Sequence, residues 1–101
     1  MACEYVYYRA MPLLEAKELI DNEKYINTKR NRGLTYWADN LADASRYAVE
    51  DRVIVRIVLE RPLGGRQIAK FTHATAHLEY CMPIDTFNKH LCDLLEDIII
   101  I

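Results

Sequence analysis

The hydrophobic and polar positions in the first third of the chain change period twice. Residues 4–10 are rich in tyrosine and valine, with Tyr5 and Tyr7 on one face and Val6 and Tyr8 on the other, which is typical of a strand buried on both sides. Pro12 ends this strand and is well placed in the first turn of a helix over residues 12–22. The apolar positions of that helix follow its period: Leu13, Ala16, Leu19 and Ile20. Its polar positions are expected to face water: Glu15, Lys17 and Glu18.

A strand, a turn and a second helix are predicted over residues 33–48. Gly33 precedes a β-prone run of aromatic and β-branched residues at 35–37, and Asp39 or Asn40 can cap a helix. The helix is slim because most of its inward residues are small: Ala42, Ala44, Tyr47 and Ala48. Such a helix can lie close to a neighbouring element.

Strands dominate the second half of the chain. Residues 52–60 alternate apolar side chains on both faces, which indicates a central strand. Further strands are predicted at 66–72 and 78–82. A closing helix starts at Asp85 or Thr86 and runs to the C-terminus on one apolar stripe: Phe87, Leu91, Leu94, Leu95 and Ile98.

This order of elements predicts an α+β fold. The chain has 101 residues and 51% hydrophobic side chains, which suits one compact domain with a real core. Helices come early and strands cluster late, so we expect a mixed or antiparallel sheet with flanking helices. Residues 24–33 have no clean period and are expected to form an irregular loop.

The charge balance argues against a nucleic-acid partner. The formal net charge is −2 and the isoelectric point is about 5.9, whereas phosphate binding needs a basic face. The local basic cluster of Lys29, Arg30 and Arg32 is interpreted as a solvated loop. An RNA-cleaving toxin of this size therefore ranks below the functions considered next.

The cysteines and the termini indicate a soluble, cytoplasmic protein. Cys3, Cys81 and Cys92 are an odd number without CxxC spacing, which favours reduced thiols over a disulfide framework. No basic segment followed by an apolar stretch opens the chain. The apolar run at 98–101 is far shorter than the about 20 residues of a membrane span.

A metal site is not expected. His73 and His77 stand four residues apart and could share a helical face, but the order His-Glu-x-x-His is missing. His77 is interpreted as a polar strand residue.

Three short motifs carry the candidate chemistry. They are Tyr8-Arg9-Ala10, then Gly33-Leu-Thr-Tyr-Trp-Ala38 followed by Ala44-Ser-Arg-Tyr-Ala48, and finally Glu79-Tyr-Cys-Met-Pro83. In this order they resemble the motifs of a small ADP-ribosyltransferase domain. The resemblance covers roughly residues 5–85.

The resemblance implies a fold, a substrate and four site residues. Glu79 would be catalytic, because a carboxylate stabilises the positive ribose formed when the nicotinamide bond of NAD breaks. Arg9 would hold a phosphate or ribose oxygen. Tyr36 or Trp37 would stack on the nicotinamide, and Tyr47 would also belong to the NAD site. The acceptor would be a macromolecule, with a protein target expected.

Two features support a different class of function. Leu34-Thr35-Tyr36 stands where one branch of the family has Ser-Thr-Ser, and His77 stands where many members have Glu or Gln. The alternative is a non-catalytic binding module, such as a phage- or plasmid-encoded inhibitor that occupies a host protein. The apolar C-terminal helix could then be a partner surface or a homodimer seam, or it could tuck across the sheet.

Each site residue also has a plain structural interpretation. Arg9 could form an ion pair with a carboxylate, and Trp37 is favoured as a core residue whereas Tyr36 is open. Strand alternation could place Glu79 outward in water.

Overall fold

The computed structural model describes residues 4–72 and 75–101, with side chains for all of these except residues 69–77. The elements in chain order are β1 (Tyr5–Pro12), α1 (Leu13–Asn22), a 3₁₀ turn (Arg30–Gly33), β2 (Leu34–Trp37), α2 (Leu41–Ser45), β3 (Arg52–Leu59), β4 (Arg66–Thr72), β5 (Thr75–Pro83), α3 (Ile84–Leu94) and β6 (Leu95–Ile100). The predicted α+β class is confirmed in this single compact domain.

The strands form two small antiparallel sheets that are joined by a backbone bridge. One sheet has the order β1-β3-β6 and the other β2-β5-β4. They meet where Tyr8 of β1 pairs with Ala38, directly after β2, through two backbone hydrogen bonds of 2.8 and 2.9 Å. Read across this junction, the strand order is β4-β5-β2-β1-β3-β6.

Strand β3 is central in its sheet, as its apolar pattern predicts. It pairs with β1 on one side and with β6 on the other. Val55, Ile57 and Leu59 on its inner face have no solvent exposure. Alternation along the strand leaves Arg52, its first residue, on the opposite face.

The core is built around an aromatic stack that joins β2 to α3. Trp37 is 0% exposed and stacks on Phe87 with ring centroids 5.0 Å apart, so its interpretation as a core residue is confirmed. The indole N–H is satisfied, because it donates to the Thr35 hydroxyl at 2.9 Å. Burial of side chains this large stabilises the fold by about 1.5–3 kcal/mol each. The stack therefore anchors β2 firmly.

The prediction that the closing helix reaches the C-terminus is wrong. Helix α3 ends at Leu94, and β6 follows it and pairs with β3. The isoleucine run favours a strand because β-branched side chains suit a pleated surface, and β6 also satisfies the open edge of β3. The helix begins after Pro83 without a side-chain cap, so neither Asp85 nor Thr86 acts as the N-cap. Phe87 and Leu91 of this helix are buried in the core.

Helix α2 is shorter than its sequence pattern indicates. Asn40 is the N-cap, and its side-chain oxygen accepts from the Asp43 amide at 2.9 Å. The helix ends at Ser45, so Tyr47 lies in the turn that follows.

Three further expectations concern the cysteines, a metal site and a membrane span. Cys81 is a buried free thiol and Cys92 an exposed one, whereas Cys3 lies outside the described residues. His73 and the side chain of His77 also lie outside them, and no group of three metal-ligating residues occurs in the part that is described. Among the described helices, none has the length and apolarity to cross a membrane.

Candidate functional site

A cleft of about 340 Å³ opens where the two sheets diverge. Ala10, Ala38 and Ala44 line it with small side chains, and all three are buried. Because α2 carries Ala44 at this point, the helix packs close to β1 without filling the space between the sheets. The expectation that small residues on this helix allow close approach is met at Ala44, whereas Ala42 and Ala48 are exposed.

All four site residues named from the sequence line this one cleft. Arg9 comes from β1, Tyr36 from β2, Tyr47 from the turn after α2, and Glu79 from β5. The three strands β5, β2 and β1 are consecutive in the strand order across the junction. Residues that are 70 positions apart in the chain thus share one wall of the molecule.

Glu79 is buried beside the cleft and is only 7% exposed. The interpretation from strand alternation, that Glu79 points outward into water, is therefore wrong. The Tyr47 hydroxyl lies 3.5 Å from Glu79 Oε2, which is the outer limit of a hydrogen bond. A carboxylate in such a place is held in one position and kept from bulk solvent.

Arg9 bridges the gap between β1 and β2. Its Nε donates to Glu15 at 3.1 Å and its Nη1 donates to the Tyr36 carbonyl oxygen at 3.1 Å. Burial works against its charge, but Tyr25 and Glu15 outweigh burial and hold the pKa of the guanidinium above its ordinary value. A guanidinium has five N–H groups, and two of them are used in these bonds.

Glu15 is buried rather than exposed, which corrects the expectation that it faces water. It is 4% exposed and accepts from both Arg9 and the Tyr25 hydroxyl, the latter at 2.8 Å. Arg30 adds a second cation, with Nη1 3.9 Å from the other carboxylate oxygen. A sequence signal was present, because Glu15 lies four residues before Leu19 and therefore borders the apolar stripe of α1.

Tyr25 fixes the far side of this buried network. Its backbone N–H donates to Asn88 Oδ1 at 2.8 Å, and its carbonyl accepts from Asn88 Nδ2 at 2.9 Å, which ties the loop to α3. Burial, opposed by Arg9, raises the pKa of the Tyr25 hydroxyl well above its ordinary value. The phenol therefore stays neutral and donates to Glu15.

Aromatic rings form much of the rim of the cleft. Tyr8, Tyr36 and Tyr47 all line it and all are partly exposed. Burial first, and then the neighbouring Cys81 thiol, raises the pKa of Tyr36, so its phenol is neutral at physiological pH. Neutral flat rings at a rim suit stacking on a planar ligand.

Sequence reasoning missed two polar residues of the cleft, Arg52 and Asn31. Arg52 is the first residue of β3, opposite Pro12 of β1, and only the register of that pair brings it to the cleft. Asn31 belongs to three successive residues with positive φ, together with Arg32 and Gly33. Such a backbone costs about 1–3 kcal/mol per non-glycine residue and persists only where its surroundings hold it.

Comparisons with protein-family models, with curated proteins and with solved structures found no match for this chain. The cleft offers a buried carboxylate, guanidinium groups and flat phenol rings, which complement sugar hydroxyls, phosphate oxygens and a planar heterocycle.

Proposed function

We propose that this protein is an NAD-dependent mono-ADP-ribosyltransferase-like domain that uses Glu79 as its catalytic carboxylate. One observation carries the proposal: Arg9, Tyr36, Tyr47 and Glu79, named from three separated motifs, line a single cleft. The elements also follow the order that the resemblance implies, with Arg9 on a first strand and Glu79 on a late one.

The chemistry requires a carboxylate beside the ribose. When the bond between nicotinamide and ribose breaks, its electron pair leaves with the nicotinamide and positive charge develops on the sugar. Glu79 would stabilise that charge from a buried position, where a fixed charge is more effective than in water. An acceptor nucleophile then bonds to the ribose carbon and loses its proton.

The shape of the cleft suits one end of the dinucleotide. Its volume of about 340 Å³ is near the lower limit of the roughly 300–1,000 Å³ of common ligand pockets. We assign this space to nicotinamide and its ribose, with Tyr36 and Tyr47 as the aromatic walls. The adenosine end would extend outward, and a protein acceptor would approach from the open side.

Binding of NAD tests the site independently of catalysis. Tyr36→Ala removes the ring that would stack on nicotinamide and should weaken NAD binding about tenfold, in line with roughly 1–3 kcal/mol per stacked ring. Tyr36→Phe keeps the ring and is the matched control, so it should bind like the wild type. Isothermal titration calorimetry measures both.

Failure of the wild type to bind NAD would overturn the proposal. Equal affinity of Tyr36→Ala and Tyr36→Phe would also remove Tyr36 from the site. Binding without any release of nicotinamide would favour the non-catalytic alternative.

A further inference from the structure

Arg52 is a second cationic residue that lines the cleft, besides Arg9. Four other arginines form ion pairs: Arg9 with Glu15, Arg30 with Glu15 and Glu18, Arg46 with Asp43, and Arg56 with Asp97. Across the described ranges 4–72 and 75–101, no ion pair is found for Arg52. Its side chain is exposed and lines the cleft.

The position of Arg52 follows from the pairing of β1 with β3. Arg52 stands opposite Pro12, and the two residues share the outer face of the sheet with Tyr8 and Ala10. Tyr8 and Ala10 also line the cleft. The guanidinium therefore reaches the cleft from the side opposite to Arg9, whose side chain leaves the inner face of β1 toward Glu15.

The two guanidinium groups have different electrostatic surroundings. The charge of Arg9 is balanced by the buried carboxylate of Glu15 at 3.1 Å. Among the described lining residues Arg9 and Arg52 are the cations and Glu79 is the one carboxylate, in a protein of net charge −2. A local cation in an acidic protein is a typical feature of an anion site.

We propose that Arg52 binds the phosphate attached to the ribose of the nicotinamide nucleotide, and so makes the cleft selective for a phosphorylated nicotinamide nucleoside. This inference rests on the proposed function. Arg9 then serves chiefly to hold β1 and β2 together at the site, while Arg52 supplies the charge that the ligand neutralises. A guanidinium suits this task because its planar fork matches two phosphate oxygens.

The test compares two ligands that differ by a single phosphate group. Nicotinamide mononucleotide and nicotinamide riboside are titrated by calorimetry into the wild type, Arg52→Gln and Arg52→Lys. Arg52→Gln should lower the affinity for the mononucleotide about tenfold, as expected for loss of a charge-assisted hydrogen bond. Its affinity for the riboside should not change. Arg52→Lys keeps the charge without the fork, so it should fall between the other two.

The matched control is Arg56→Gln, four positions along the same strand and outside the cleft. It removes the same charge, and the mononucleotide should bind to it as to the wild type. The proposal is overturned if Arg52→Gln binds the mononucleotide normally, if it loses both ligands alike, or if Arg56→Gln has the same effect.

Inorganic pyrophosphate separates this inference from the proposed function. If the wild type binds pyrophosphate through Arg52 but binds neither nicotinamide ligand, the cleft is an anion site and the nucleotide assignment fails. If the wild type binds NAD and Arg52→Gln leaves that affinity unchanged, the proposed function stands and the role of Arg52 is wrong. If Arg52→Gln weakens the binding of a single-stranded oligonucleotide and leaves the binding of the mononucleotide unchanged, Arg52 recognises the phosphate of a nucleic acid instead. That result would overturn the proposal.

Discussion

At the scale of single residues, the cleft depends on a carboxylate that the sequence pattern places in water. Glu15 is buried with Arg9 and Tyr25 bound to the same oxygen, and Arg30 lies near the other one. Burial of a charge is costly unless it is paired and hydrogen-bonded, and here both conditions are met. The network therefore fixes Arg9, and through Arg9 the spacing of β1 and β2.

Glu15→Ala should lower the free energy of unfolding by about 3–5 kcal/mol, because Arg9 would lose its buried counter-charge. Glu18→Ala on the same helix is the control. Glu18 pairs with Arg30 at 3.5 Å nearer the surface, so its loss should cost about 0–1 kcal/mol. Urea denaturation measures both values, and equal losses in the two variants would contradict the account of the network.

The raised pKa of Tyr25 should make the protein less stable at alkaline pH. Burial is the main cause that raises its pKa in the folded protein above the ordinary value of 10.0. Above about pH 10 the unfolded chain therefore loses the proton that the folded protein keeps, and stability that is fully present below pH 10 falls as the pH rises. The slope should be shallower in Tyr25→Phe.

Urea midpoints measured at about pH 9, 10 and 11 give these slopes. The hydroxyl-free variant starts from a lower stability, since it lacks the bond to Glu15, so the comparison concerns slopes rather than absolute values. Identical slopes in the two proteins would show that Tyr25 ionises equally in both states.

At the scale of elements, the isoleucines at 98–100 belong to strand β6 and not to the closing helix that the sequence pattern predicts. The tail completes the sheet as β6, and Ile98 packs against the core while pairing with Ile57. Ile101 continues this contact, because its amide donates to the Ile54 carbonyl oxygen at 3.0 Å. Ile98 thus contributes to the core, whereas Ile100 and Ile101 are exposed.

Two substitutions at Ile99 distinguish a C-terminal strand from a C-terminal helix. Ile99 pairs with Arg56 and is partly exposed. In a strand, Thr is favoured over Ala by up to about 1 kcal/mol, whereas in a helix Ala is favoured over Thr. Ile99→Thr should therefore be more stable than Ile99→Ala in urea denaturation. The reverse order would support the helix that the sequence pattern predicts.

At the scale of the whole molecule, local patterns predicted most elements but not their arrangement. Periodicity identified β3 as central, located most of the helices and strands, and marked Trp37 as core. It failed at the C-terminus, because an apolar stripe at helical spacing continues into β-branched residues and local pattern alone cannot weigh the open edge of β3.

The candidate site was predictable to the extent that it depends on motifs in order along the chain. Arg9, Tyr36, Tyr47 and Glu79 were named from those motifs and line one cleft. Arg52 was missed because its place depends on the register between β1 and β3, which no local pattern encodes. The contact of Glu79 with the Tyr47 hydroxyl likewise joins residues 32 positions apart, which no local pattern shows.

Release of nicotinamide from NAD, followed by proton NMR in the wild type and Glu79→Gln, tests the central claim most directly. Glu96→Gln on the exposed side of β6 is the control for loss of a carboxylate. We predict that the wild type and Glu96→Gln release nicotinamide, and that Glu79→Gln is slower by about 100-fold or more while its fold is retained. Equal rates for Glu79→Gln and the wild type, or no release by the wild type, would contradict the assignment of this cleft.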